Sequence, residues 1–112
     1  MKFIAVYMMP HTGLDEWMKL PEDERKAQEN QMKTEWDAWL ASHKDAIAET
    51  AGVGKPKRVT KEGTTDARND LMMYSFVEAE SADAAAKLFE GHPHFGIPGA
   101  SIEVMPVNKN IQ

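Results

Sequence analysis

The sequence predicts an α+β fold with an antiparallel sheet and two helices on one face of that sheet. Two observations indicate this fold: short apolar stretches of strand length recur along the chain, and two longer stretches carry apolar residues at helical spacing. The 112 residues have room for one domain. We therefore expect one domain over residues 1–107 and a loose tail over residues 108–112.

The composition is that of a globular protein with an acidic surface. Hydrophobic residues make up 42% of the chain and charged residues 28%, and 13 basic against 18 acidic residues leave a net charge of −5. A surface of this sign repels phosphate groups, so we expect neither nucleic acid nor an anionic membrane as a partner. The chain has no cysteine, which excludes disulfides, thiolate nucleophiles and cysteine-ligated metal centres.

The first strand is expected at Lys2–Met8, because its continuous apolar run fits a central strand that is buried on both faces. Pro10 ends this run far short of the roughly 20 residues of a membrane span, and the run lacks the flanks of a secretion signal. The cytoplasm is therefore the expected location. The segment Pro10–Leu20 is predicted to be a loop with one helical turn, in which Asp15 caps Glu16–Lys19.

A long helix is predicted next. Pro21 suits its first position, and the acidic residues that follow complement the positive end of the helix dipole. A single apolar stripe runs along its body, formed by Met32, Trp36, Trp39, Leu40 and His43. We expect this stripe to face the core.

Strands dominate the second half of the chain. Ile47–Ala51 is a weak strand, and Lys57–Thr60 is predicted to be an edge strand, because its charges resist pairing with another chain. Lys61–Asp70 is expected to form a polar turn. Leu71–Glu78 is a strong strand with two apolar faces, and Ser101–Val107 is the last strand.

A second helix separates the last two strands. Ser81 can cap its N-terminus, an alanine-rich stripe ends at Phe89, and Gly91 suits its C-terminal stop. A loop over His92–Ala100 follows. The resulting order βαββαβ is that of a ferredoxin-like sandwich.

The two predicted helices can cover only one face of the sheet. The other face remains apolar in Phe3–Met8 and Leu71–Glu78, and large exposed apolar patches are unusual on soluble monomers. We therefore expect a symmetric homodimer that packs the two open sheet faces together. The alternative is that the extra methionines only enlarge one core.

The second half of the chain resembles the YCII-related proteins of the dimeric α/β-barrel superfamily. The most specific match is the run Gly91-His92-Pro93-His94-Phe95, and the flanking matches are Leu71–Glu80, Ser81–Phe89 and Gly99–Pro106. The resemblance implies a ferredoxin-like protomer, a homodimer that forms a dimeric α/β barrel, and a small-molecule pocket.

The resemblance also implies a chemistry, because some relatives are hydrolases or lyases that use a His and Asp pair. In the family this pair involves the long helix and the strand before it. The matching segment here, Lys33–Leu40, contains no histidine, and His11 with Asp37 is the candidate substitute.

Three histidines are candidate catalytic residues, because imidazole titrates near neutral pH and can transfer protons. His92 and His94 flank Pro93, which fixes how both rings project. Their structural alternative is that one caps the end of the second helix while the other packs in the loop. His11 follows the first strand, where loops often carry chemistry. His43 lies on the apolar stripe and is expected to be structural.

Tyr74, Ser75 and Glu103 are candidate substrate-binding residues, because each is a polar residue on a strand with apolar neighbours. The alternative for Glu103 is a solvated strand face or an ion pair with Arg58 or Arg68. No metal and no cofactor is expected, since no two histidines have the i,i+4 spacing of a helical metal site.

These residues predict a cofactor-independent enzyme of hydrolase or lyase type, with a histidine-containing pocket for a small organic ligand. Two alternatives remain open. One is a noncatalytic protein that binds a small ligand in the same dimeric barrel. The other is a structural module whose apolar sheet face serves only as an oligomer interface.

Overall fold

The computed structural model describes residues 1–108 and contains two β-sheets and three α-helices. The strands are β1 (Lys2–Met8), β2 (Ile47–Gly52), β3 (Lys57–Thr60), β4 (Gly63–Asp66), β5 (Leu71–Glu78) and β6 (Ser101–Pro106). The helices are α1 (His11–Met18), α2 (Glu22–Ser42) and α3 (Ala82–Leu88), with a 3-10 helix at Pro93–Gly96. Beyond Asn108, the expected tail lies outside the described residues.

The main sheet has the strand order β2-β5-β1-β6, and every neighbouring pair is antiparallel. This is the order of a ferredoxin-like sandwich, in which two βα crossovers interleave their strands. The α+β prediction is therefore confirmed, and strands β1 and β5 begin and end where the sequence predicts. Within residues 1–108, no helix is both long enough and apolar enough to cross a membrane.

The helix-covered face of the sheet forms the core. Phe3, Ala5 and Tyr7 of β1 are fully buried and alternate with half-buried residues of the opposite face. On β5, Val77 lies directly opposite Phe3 and is equally buried. The helices complete this core with Trp39, Ala85 and Phe89. The apolar stripe of α2 thus faces the sheet as expected.

The segment after β1 is a helix where the sequence predicts a loop. Helix α1 begins directly after Pro10, and Asp15 lies inside it instead of capping it. Asp15 binds Arg68 at 3.2 Å. The first backbone N–H of α1, that of His11, is bound by the carboxylate of Asp70 at 3.1 Å. Because this acceptor lies 59 residues away in the chain, no local pattern could reveal it.

The polar turn predicted at Lys61–Asp70 contains a strand. Strand β4 pairs antiparallel with β3 in a two-stranded sheet of its own, and the ammonium group of Lys57 binds Asp66 across this pair. Gly63 has a φ of +127°, which only glycine adopts readily, and it lets the chain reverse. All residues of both strands are exposed, so this hairpin projects from the sheet.

A glycine also fixes the position of α1. Gly99 has a φ of +76°, and a Cβ atom at this position would lie 2.9 Å from Cγ of Pro10. Only glycine therefore lets the loop before β6 pass this close to the residue that precedes α1. This contact holds the end of β1 and the start of α1 in place.

Candidate functional site

A cavity of about 880 Å³ lies at the end of the sheet where β1 leaves it. Three segments form its wall: the chain from β1 into α1, the turn between β2 and the β3–β4 hairpin, and the segment that enters β5. Its apolar lining includes Met9, Val53 and Met72. Polar groups come from all three segments.

His11 and Asp70 form a hydrogen-bonded pair on this wall. Nδ1 of His11 lies 2.8 Å from Oδ1 of Asp70, and both side chains are a little under half exposed. The backbone N–H of His11 donates to the same carboxylate oxygen. Two hydrogen bonds from one residue therefore fix the carboxylate relative to the imidazole ring.

The carboxylate determines which nitrogen of His11 can accept a proton. The hydrogen bond from the His11 side chain, followed by that from its backbone N–H, lowers the pKa of Asp70. Asp70 is therefore ionised at neutral pH and can only accept hydrogen bonds. A neutral His11 then carries its proton on Nδ1, which leaves the lone pair of Nε2 available as a base.

The partner of His11 is thus Asp70, and the expected substitute pair of His11 with Asp37 does not form. Asp37 lies on the exposed side of α2, where it binds Lys33 at 3.1 Å. One signal in the sequence could have indicated the correct pair. Asp70 immediately precedes β5 and His11 comes three residues after β1, and the two strands pair antiparallel so that these ends meet.

His92 and His94 lie in the core. They are 2% and 0% exposed, and the ring of His92 packs against that of Trp36 with centroids 4.5 Å apart. Nδ1 of His92 accepts the backbone N–H of His94 at 2.9 Å, and Nε2 of His94 lies 2.9 Å from the carbonyl oxygen of Met8. This placement favours the structural alternative. The capped element is the start of the 3-10 helix, however, and not the end of α3.

Burial keeps both core histidines neutral. Burial lowers the pKa of His92 to about 4, and the nearby His94 and His43 contribute further in the same direction. Burial also lowers the pKa of His94, against its hydrogen bond to the carbonyl oxygen of Met8, which raises it. His43 stacks on Trp39 with ring centroids 4.2 Å apart, in agreement with its expected structural role.

The three expected substrate-binding residues do not share a site. Ser75 is fully buried on the helix-covered face, where its hydroxyl lies 2.7 Å from those of Tyr7 and Thr50. Burial raises the pKa of Tyr7, against this hydrogen bond. Tyr74 and Glu103 lie on the open face, because both are register partners of Val6.

The polar residues of the open face do not extend the cavity. The Tyr74 hydroxyl donates a long hydrogen bond of 3.4 Å to Glu49. Glu103 is exposed, as its solvated alternative requires, and Arg68 forms its ion pair with Asp15 instead. Within residues 1–108, no three His, Asp or Glu side chains form a group that could hold a metal ion.

His92 should make the protein sensitive to acid. Its pKa is about 4 in the folded chain and 6.5 in an unfolded one, so the unfolded chain takes up a proton first as the pH falls. The contribution of His92 to the free energy of unfolding is therefore fully present above pH 6.5 and decreases as the pH falls towards 4. By pH 5 the free energy of unfolding should be lower by about 2 kcal/mol. The measurement is the free energy of unfolding in urea between pH 7 and pH 5.

A matched variant isolates this effect. His92→Asn keeps an oxygen that can cap the 3-10 helix and removes the titrating ring. We expect a variant that is less stable at pH 7 but loses about 2 kcal/mol less on going to pH 5. Equal losses in the two proteins would contradict the role of His92.

Comparison with known proteins finds similarity among solved structures. No protein-family model and no curated protein matches the chain. Among solved structures, the chain is similar to the 5-chloro-2-hydroxyhydroquinone dehydrochlorinase of Burkholderia phenoliruptrix AC1100 in complex with 2,5-dihydroxybenzoquinone. The TM-score is 0.52 at 15% sequence identity, and the match covers 97% of each chain. This similarity shows a shared α+β protomer fold, while the resemblance to YCII-related proteins of the dimeric α/β-barrel superfamily stays a prediction.

Proposed function

We propose that this protein is an enzyme of lyase or hydrolase type that acts on a small organic molecule, with His11 as its general base. The observation that carries the proposal is the 2.8 Å pair of His11 and Asp70 on the wall of the 880 Å³ cavity. A base that is oriented by a carboxylate and accessible from a cavity is the usual arrangement for proton transfer to or from a substrate.

The pair can transfer a proton without a cofactor. Nε2 of His11 removes a proton from the substrate or from a water molecule, and the ionised Asp70 stabilises the imidazolium that results. In an elimination, the proton comes from a C–H or O–H bond, the electron pair forms a new double bond, and the leaving group departs from the neighbouring carbon. In a hydrolysis, the same nitrogen activates water for attack.

Two observations favour elimination from a small ring. Met9, Val53 and Met72 give the cavity an apolar wall that suits a flat hydrocarbon body. The structure of similar fold is a dehydrochlorinase with a bound dihydroxylated six-membered ring. The proposal therefore favours a lyase acting on a hydroxylated or halogenated ring.

A noncatalytic ligand-binding protein is the second candidate function. It requires the same cavity but no base, and the two proposals therefore differ in what happens when His11 is replaced.

His11→Gln and Asp70→Asn test the catalytic proposal. With halide release from a panel of chlorinated hydroquinones as the assay, we expect His11→Gln to lower kcat by roughly 10²- to 10⁴-fold, because the proton acceptor is lost. Asp70→Asn should lower kcat less, because the base remains and only its orientation and charge support are lost. Both variants should still bind substrate.

Asp37→Asn is the matched control, since it changes the same chemical group on the exposed side of α2 and should leave kcat unchanged. If His11→Gln is folded and retains the kcat of the parent protein, His11 is not the base. If no panel member is turned over yet the ring compounds bind, the ligand-binding candidate replaces the enzyme.

The open face of the sheet supports a second part of the proposal, a homodimer in which two such faces pack together. The accessible surface of one chain is 8078 Å², whereas a compact monomer of 12.6 kDa exposes about 6,200 Å². The radius of gyration is 15.9 Å, against about 13 Å for a compact domain of this length. The excess surface is more than the roughly 800 Å² per partner that a stable interface buries.

The dimer can be tested with a charge at the centre of this face. Native mass spectrometry should give twice the 12.6 kDa of one chain, and Val6→Lys should give single chains. The new ammonium group faces Glu103 on β6, so the monomer can keep its fold. Gln28→Lys, at an exposed position of α2, should stay dimeric. A monomeric parent protein or a dimeric Val6→Lys would contradict this interface.

A further inference from the structure

Two of the three carboxylates on the cavity wall have cationic partners, and the third accepts hydrogen bonds from His11. Asp15 binds Arg68, Asp66 binds Lys57, and Asp70 binds His11. Each carboxylate of the wall is therefore already bound by a side chain of the protein.

Hydrogen-bond donors remain on the same wall. Lys55, in the turn between β2 and β3, lines the cavity and forms no ion pair with residues 1–108. Arg68 donates to Asp15 through Nη2 only, so most of its five N–H groups remain available. Asn69 accepts the backbone N–H of Leu71 through Oδ1, which leaves its amide N–H groups free to donate.

From this imbalance we propose that the substrate of the cavity is an anion, a carboxylate or a ring oxyanion, that is bound mainly by Lys55 and Arg68. The inference rests on the proposed function, because it names the substrate class of the same site. The ligand's apolar body lies against Met9 and Met72, and its charged end faces the free donors.

An anionic ligand needs a cation inside the cavity, because the net charge of the whole molecule is negative. The chain carries a net charge of −5, so its overall field repels a negative ligand. Lys55 and the remaining N–H groups of Arg68 supply local hydrogen-bond donors against this field. Lys55 is a binding and positioning residue, and it takes no part in proton transfer. Its loss should therefore raise KM with kcat almost unchanged.

Binding of benzoate and benzamide tests the inference. The two probes share a ring and differ in charge, and the methyl groups of Met9 and Met72 report binding at the cavity in spectra of protein labelled with ¹³C in its methionine methyls. We expect benzoate to bind roughly tenfold more tightly than benzamide, as a charge-assisted hydrogen bond allows.

Two variants separate Lys55 from general charge effects. Lys55→Gln should remove the preference for benzoate, whereas Lys61→Gln, at the exposed tip of the β3–β4 hairpin and off the cavity wall, should keep it. Both variants change the net charge equally. Equal binding of the two probes, or an equal loss in both variants, overturns the anion proposal and leaves the cavity as a ligand site.

Failure of both probes to shift the Met9 and Met72 methyl signals also overturns the anion proposal. The enzymatic proposal is judged separately, because the effect of His11→Gln on kcat does not depend on Lys55. The two proposals can therefore fail independently.

Discussion

The antiparallel pairing of β1 with β5 is the constraint on which the rest of the structure depends. Its register sets Phe3 opposite Val77, which buries one face of the sheet under the helices. The same register turns Val6 and Tyr74 to the open face. At its far end, the pairing brings the exit of β1 next to the entry of β5, where His11 meets Asp70. The pairing of β1 with β5 therefore determines the core, the proposed interface and the proposed site.

The buried residues His92 and His94 stabilise the end of β1. His94 donates from Nε2 to the carbonyl oxygen of Met8, the last residue of β1, and His92 caps the 3-10 helix that carries His94. Gly99 packs against Pro10 on the same segment. Two contacts from the chain between α3 and β6 therefore hold Met8 and Pro10, at the turn from β1 into α1. The His-Pro-His step thus has a structural role close to the proposed site.

The sequence predicts the main sheet well because each of its strands carries its own signal. The apolar runs at Lys2–Met8 and Leu71–Glu78 and the apolar stripe on α2 are local patterns with a fixed period, and the structure follows them. The start of α1 and strand β4 were not predictable in this way, although β3 was expected at its observed bounds. Helix α1 begins where the carboxylate of Asp70 accepts its first N–H, and this contact exists only in the folded chain.

The candidate site also combines features that local sequence patterns indicate with contacts that exist only in the folded chain. The position of His11 after the first strand indicated a site, but its partner depends on strand pairing. Asp37 was expected only because the pair of the resembling family involves the long helix. Ser75 and Tyr74 are neighbours in the chain and appear equivalent in the sequence. The alternation of a strand places them on opposite faces, one in the core and one on the open face.

The central claim is that Asp70 makes Nε2 the basic nitrogen of His11, a residue of the cavity wall. The most direct measurement is the ¹⁵N spectrum of the His11 imidazole at a pH where the ring is neutral. The account predicts a proton on Nδ1 and a bare Nε2, and it predicts that Asp70→Ala removes this preference while Asp37→Asn keeps it. A proton on Nε2, or the same spectrum with and without the Asp70 carboxylate, would contradict the account.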